Sequence, residues 1–134
     1  IPGVVAFLKE ARRLGIPCAV GSSAPRENVD ACLRALRLES VFGATVSGAD
    51  VARGKPAPDI FLKAAAGIGI APRDCLVFED APAGIAAAHA AGMRAWALQT
   101  SHARAELAEA DFLSADFAGL TPRAVQAAWT PRAS

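Results

Sequence analysis

A chain of 134 residues, 53% hydrophobic and 20% charged, is long enough for one folded domain with a real core and too apolar to stay disordered. Its net charge of +1 gives no general attraction to nucleic acid or an anionic membrane, and no apolar run approaches the ~18 residues of a membrane span. No secretory-signal pattern is present, and Cys18, Cys32 and Cys75 are odd in number and lack metal spacing, so they read as buried thiols in a reducing cytoplasm.

The opening, IPGVVAFLKEARRLG, has no initiator Met and starts on a turn-and-helix phrase, which reads as a piece of a longer chain. Val4, Val5, Leu8, Ala11 and Leu14 recur at helical spacing, and Gly15 is placed to end that helix. IPCAVG is then a short strand, apolar throughout as strands covered on both faces are. After SSAP, with Pro25 placed in the first helical turn, Val29, Cys32, Leu33 and Leu36 form the apolar stripe of a second helix.

ATVS predicts a second strand. GKPAPDIFLKAAAGIG predicts a proline-marked loop and then a helix ending near Gly67 to Gly69. Pro56 and Pro58 exclude a central strand there and leave Lys55 on a loop. CLVFE is a third strand, PAGIAAAHAAG the helix after it, RAWAL a fourth strand, DFLS a weaker fifth, and Thr121 to Trp129 a last helix. Strands alternating with helices imply parallel pairing in an α/β sheet covered on both faces, and such sheets bind ligands at the carboxyl ends of their strands.

The residues just after each strand therefore matter most. After the first comes GSSAP, whose hydroxyls and backbone N–H groups suit an anion or, more simply, cap the next helix. After the second comes Lys55, a fixed cation or a solvated loop charge. After the third come Glu79 and Asp80, adjacent carboxylates that repel each other and suit a hard cation such as Mg²⁺. Together the three strand ends offer an anion cradle, an ammonium and a carboxylate pair, the set that a phosphate monoester needs when its transition-state charge is offset. Arg26 could reach a phosphate but reads more simply as solvated. His89 reads as a surface or packing residue, His102 as a neighbour of the site, and Trp96 and Trp129 as packing residues.

AVGSSAP, GKPAPDIF and VFEDAPAGIAAAHAAGM, in this order and spacing, resemble the haloacid-dehalogenase superfamily, most closely its β-phosphoglucomutase and phosphoglycolate-phosphatase branch. The resemblance runs from Ile1 to about Leu107. It implies a Rossmann-like, mostly parallel sheet with helices on both faces. It also implies that Ser22 binds the transferring phosphoryl group beside the N–H groups of Ser23 and Ala24. Lys55 would hold the phosphate and the nucleophile carboxylate. Asp80 would hold Mg²⁺, with Glu79 beside it binding directly or through water, and Ala81, Pro82 and Gly84 would form the turn into the following helix. The partner implied is a small phosphorylated metabolite, with no nucleic acid and no membrane.

The family's first motif, an Asp-x-Asp loop that supplies nucleophile and general acid/base, does not occur. Asp30, Asp50, Asp59, Asp74, Asp80, Asp111 and Asp116 are the only aspartates, and none lies two before another. The resemblance places that motif on a central strand upstream of Ile1, between the strands ending at Gly21 and Glu79, followed by a substrate-choosing cap. Residues 1–134 are therefore expected to be a single, partial core domain, inactive alone. The position of the absent strand would be filled by an upstream segment, by abnormal pairing of the flanking strands or by another copy. The expected activity of the parent is that of a Mg²⁺-dependent hydrolase or phosphomutase acting on small phosphate monoesters through an aspartyl-phosphate. The alternatives are a non-catalytic phosphate-binding or interaction module and a haloacid dehalogenase, against which the Glu79–Asp80 pair argues.

Overall fold

In the computed structural model, which describes residues 1–129, strands and helices alternate as the sequence predicts: α1 (Val4–Arg13), β1 (Ala19–Gly21), α2 (Arg26–Ala35), β2 (Ala44–Val46), α3 (Asp59–Gly67), β3 (Leu76–Glu79), α4 (Pro82–Ala90), β4 (Arg94–Leu98), β5 (Phe112–Ser114) and α5 (Pro122–Ala128). Short 3-10 turns at Gly48–Asp50, Pro72–Asp74 and Arg104–Leu107 precede α3, β3 and β5. No helix among the described residues is long and apolar enough to cross a membrane.

All strand pairs are parallel, but they form two sheets. β1 pairs with β2, Ala19 opposite Ala44 and Gly21 opposite Val46. β3, β4 and β5 pair in that order, Leu76 opposite Arg94 and Trp96 opposite Phe112. β1 and β3 share no ladder, so the abnormal pairing considered from the sequence does not form among the described residues. The two half-sheets are held together by side chains.

Alternation along β3 and β4 produces two cores of different character. Val77, Ala95 and Ala97 face α3 and α4, where Ile60, Phe61, Ala64, Ala65, Ile85, Ala87 and Ala88 are buried together with Val46 of β2. Small alanines let the α4 backbone come close to the sheet. Phe78, Trp96 and Leu98 face the other way and pack with Phe7 of α1, Phe117 and Val125 of α5. The Phe7 and Phe78 rings meet edge to face at 5.4 Å, and Trp96 stacks on Phe112 at 4.7 Å while its indole N–H donates to Ser114 Oγ at 2.9 Å. Helices therefore cover both faces, as parallel strands require.

Three expectations need correction. Pro25 sits at the N-cap of α2, one residue before the first helical turn. Of the apolar stripe expected on α2, only Val29 is buried; Cys32 and Leu36 are exposed, because α2 turns just its Val29 edge inward. Cys32 is thus not a buried thiol, whereas Cys18 and Cys75 are half-buried and burial raises the pKa of each.

Candidate active site

Parallel strands bring the residues after β1, the loop after β2 and the end of β3 to one edge of the molecule. The centre of that edge is Lys55. Its ammonium donates to Glu79 Oε2 at 2.9 Å and to the Gly21 carbonyl at 3.2 Å, and lies 4.8 Å from the centroid of the Phe61 ring. The side chains of Lys55 and Glu79 are only 14% and 11% exposed, so this is a largely desolvated ion pair, in which each charge depends on the other. It joins the carboxyl ends of β1 and β3, the two strands that share no ladder.

Glu79 is held from three sides. Its Oε1 accepts from the Asp80 N–H at 3.2 Å, its Oε2 from Lys55, and its carboxylate lies over Gly84 in the first turn of α4. A Cβ at Gly84 would fall inside the Glu79 carboxylate, which gives the EDAPAGI phrase a steric reason: the glycine makes room for the glutamate five residues earlier. The repulsion between Glu79 and Asp80 that the sequence suggested is relieved on the Glu79 side by the Lys55 ammonium.

Asp80 is half-buried, and its Oδ2 accepts from Thr100 Oγ1 at 3.3 Å and Ser101 Oγ at 3.2 Å. Sequence reasoning missed these two hydroxyls. Applying the strand-end rule to β4 would have found them, since Thr100 and Ser101 lie just past RAWAL, separated from it by one residue.

The serines after β1 do not cap α2: its N-cap residue is Pro25, and no side chain accepts a capping hydrogen bond there. Ser22 N–H donates to the Val46 carbonyl at 2.9 Å, extending the β1–β2 contact, while Ser22 Oγ accepts from the Ala24 N–H at 3.1 Å. That bond fixes the hydroxyl, but it also uses the Ala24 donor that was expected to face an anion. Ser23 is exposed.

Arg26, read from the sequence as solvated, is instead a clamp. Its Nη1 donates to the Thr45 carbonyl at 3.0 Å, and its guanidinium is 3.4 Å from Asp50. Asp50 Oδ2 accepts from both the Ser47 N–H (2.8 Å) and the Ser47 hydroxyl (3.0 Å). These bonds, with weaker help from the Arg26 and Lys63 charges, hold the Asp50 pKa below its ordinary value. They fix the turn that leads from β2 into the Lys55 loop. His89 binds Asp111 at 2.9 Å, away from Lys55, and His102 turns to Glu106 at 3.2 Å.

The donors present suit Mg²⁺ only in part. Asp80 offers a hard carboxylate oxygen, and Mg²⁺ commonly takes one or two carboxylates and completes its shell with water and phosphate. Glu79 is committed to Lys55, and among the described residues no group of three or more His, Cys, Asp or Glu side chains gathers to hold a metal. The fit is to Asp80, with Glu79 behind it, as one wall of a site.

Parallel strands, helices on both faces and charged groups collected at the strand ends define a Rossmann-like α/β domain. Comparison with known proteins narrows this: the model of the haloacid dehalogenase-like hydrolases matches residues 1–92, and the chain belongs to that family. It is 37% identical over 120 residues to the protein CbbY of Rhodobacter capsulatus, covering 87% of this chain and 51% of that protein. It is 41% identical over 93 residues to the beta-phosphoglucomutase of Bacillus subtilis, covering 69% and 40%. Among solved structures, CbbY from Rhodobacter sphaeroides in complex with xylulose bisphosphate matches with a TM-score of 0.82 at 34% identity, covering 89% of this chain and 55% of that one. A beta-phosphoglucomutase from Clostridium difficile matches with a TM-score of 0.85 at 25% identity, covering 95% and 55%. The chain therefore spans about half the length of these relatives.

Proposed function

We propose that residues 1–134 are the phosphate-holding core of a Mg²⁺-dependent phosphatase or phosphomutase that acts on a small phosphorylated metabolite. The observation that carries this reading is the Lys55 ammonium, fixed between the Gly21 carbonyl and the Glu79 carboxylate where β1 and β3 end. An ammonium held in a largely desolvated position is prepared to offset phosphoryl charge without reorganising when the reaction occurs. Ser22 adds a fixed hydroxyl, and the Ser23 and Ala24 backbone lies beside it. Asp80, steadied by Thr100 and Ser101, is the carboxylate that would hold Mg²⁺, with Glu79 contributing through water. When bound, the ion would supply further charge compensation at the phosphate oxygens.

In this reading an aspartate from an upstream Asp-x-Asp loop forms a carboxylate–phosphorus bond as the ester P–O bond breaks. The leaving oxygen takes its proton from the second aspartate. Water, or a sugar hydroxyl in a mutase, then attacks phosphorus, loses its proton to that aspartate and frees the nucleophile. The strand carrying the loop would lie between β1 and β3, whose facing edges share no ladder; another copy of the chain is the alternative source. Because the sequence contains no Asp-x-Asp, the 134 residues alone would turn over no substrate. The phosphatase and phosphomutase names of the relatives favour phosphate over halide chemistry.

The test is phosphate release from a panel of small phosphomonoesters. The intact protein should be active only with Mg²⁺, should lose most activity as Ser22→Ala or Asp80→Asn, and should be matched by no activity from residues 1–134. Wild-type rates in both variants would reject the assigned roles, and comparable turnover by the short chain would reject the need for an upstream nucleophile.

A further inference from the structure

At the opposite edge of the molecule, a groove of about 320 Å³ is lined by Lys9, Arg12, Arg13, Arg37 and Val41. α1 ends at Arg13 and leads through a short connection into β1 at Ala19, and α2 ends at Ala35 and leads through eight residues into β2 at Ala44. Since β1 and β2 are parallel, Arg12, Arg13 and Arg37 all lie at the amino ends of the strands, away from Ser22, Lys55 and Asp80. Arg13 is neutralised by Glu10. Lys9, Arg12 and Arg37 have no carboxylate partner within salt-bridge distance among the described residues. Arg12 is nonetheless fixed, its Nη1 donating to Ser40 Oγ at 2.8 Å.

Cations in the last turn of a helix complement its dipole, which accounts for Arg12 and Arg13. It does not account for Arg37. Four helices end in the same way, with the residue after the C-cap in the left-handed region and the next N–H reaching back to a carbonyl five residues earlier: Ile16 to Ala11, Leu38 to Leu33, Ile70 to Ala65 and Met93 to Ala88. Three of them place glycine at the left-handed position, Gly15 (φ 74), Gly69 (φ 68) and Gly92 (φ 80). The fourth places Arg37 there, at φ 56, and it is the one non-glycine residue with positive φ among the described residues. A side chain at this position strains the backbone where glycine would not. Departures of this kind from a locally consistent rule collect where a side chain has a task.

The geometry points to a second anion site in this groove, taking a small polyanion that carries two phosphate groups. Three unpaired cations around one cavity exceed what a single phosphate needs. A groove of about 320 Å³ suits a compact ligand rather than an extended acidic chain.

The test is calorimetric titration of inorganic pyrophosphate into the intact protein that carries this chain, in metal-free buffer. Arg37→Gly should weaken binding at this site at least about tenfold, the loss of one charged contact, and at the same time raise Tm by relieving the left-handed strain. Lys9→Gln/Arg12→Gln should remove the site, and added NaCl should weaken it. Ser22→Ala should leave it unchanged. Unaltered pyrophosphate binding in both groove variants, or loss of all binding with Ser22→Ala, would overturn the proposal.

Discussion

The β1–β2 half and the β3–β4–β5 half of this molecule are built to different standards. The first has two strands of three residues, with Val46 as its one fully buried strand residue. The second has Val77, Ala95, Ala97, Trp96 and Leu98 buried, with alanine packing on one face and an aromatic cluster on the other. No ladder hydrogen bond connects them. What connects them is the shared core under α3 and α4 and the Lys55–Glu79 ion pair at the strand ends. The lesson is that a site residue can also be a structural joint: the charge that would meet substrate is the same charge that ties one half-sheet to the other.

The sharpest way to break that joint is Lys55→Met. It leaves the nearly buried Glu79 carboxylate without its cation, and unfolding in urea should show a loss of about 3–5 kcal/mol. Adding Glu79→Gln should recover a large part of it, since the second change removes the stranded charge. If the double variant is no more stable than the single one, the pair is not what joins the halves.

A smaller effect is expected from Gly84→Ala. The new methyl meets the Glu79 carboxylate, which must shift, and overpacking of this kind costs about 1–3 kcal/mol. Alanine is the better helix former at this position within α4 by about 0.5–1 kcal/mol, which offsets only part of that cost. Wild-type stability in Gly84→Ala would mean that Glu79 is free to move away, and would remove the steric reason given for the glycine.

The smallest effect is in acid, and it compares the halves directly. Asp50 in the first half has a lowered pKa because it accepts two hydrogen bonds from Ser47. At Asp111 in the second half, burial acts to raise the pKa, but the Ala95 N–H, His89 and the Arg94 charge together outweigh it, and the net shift is also downward. For both, the ionised form favours the native state. Their contributions are therefore complete above the ordinary carboxylate pKa of about 4 and fade as pH falls through the lower native value. Asp50→Asn and Asp111→Asn should each be less stable than the parent at neutral pH and converge with it in strong acid. Curves that run parallel down to the lowest pH would show that neither carboxylate is linked to folding.

Much of the fold could be read from the chain because its punctuation is local. Short apolar runs bounded by glycine and proline gave each strand its place, and the strand-end rule led directly to Lys55, Glu79 and Asp80. What could not be read was pairing across distance. Nothing near Glu79 in the sequence names Lys55, 24 residues away, as its partner, so the acidic pair looked like a demand for metal alone. Arg26 looked solvated because its acceptor, the Thr45 carbonyl, is a backbone atom and leaves no trace in side-chain chemistry. The α2 stripe was over-read for a related reason: periodicity shows which residues share a face, not how much of that face another element covers.

The aromatic cluster has an optical consequence. The chain has no tyrosine, and its two tryptophans, Trp96 and Trp129, both lie beyond β3. Trp96 is enclosed against Phe78 and Phe112, so its indole is shielded from water in the three-stranded half, and Trp129, half-buried just after α5, is the other emitter among these 134 residues. The β1–β2 half is dark. Fluorescence and far-ultraviolet dichroism recorded through the same unfolding transition therefore watch different territory, and any interval between their midpoints measures how far one half can come apart while the other stays closed.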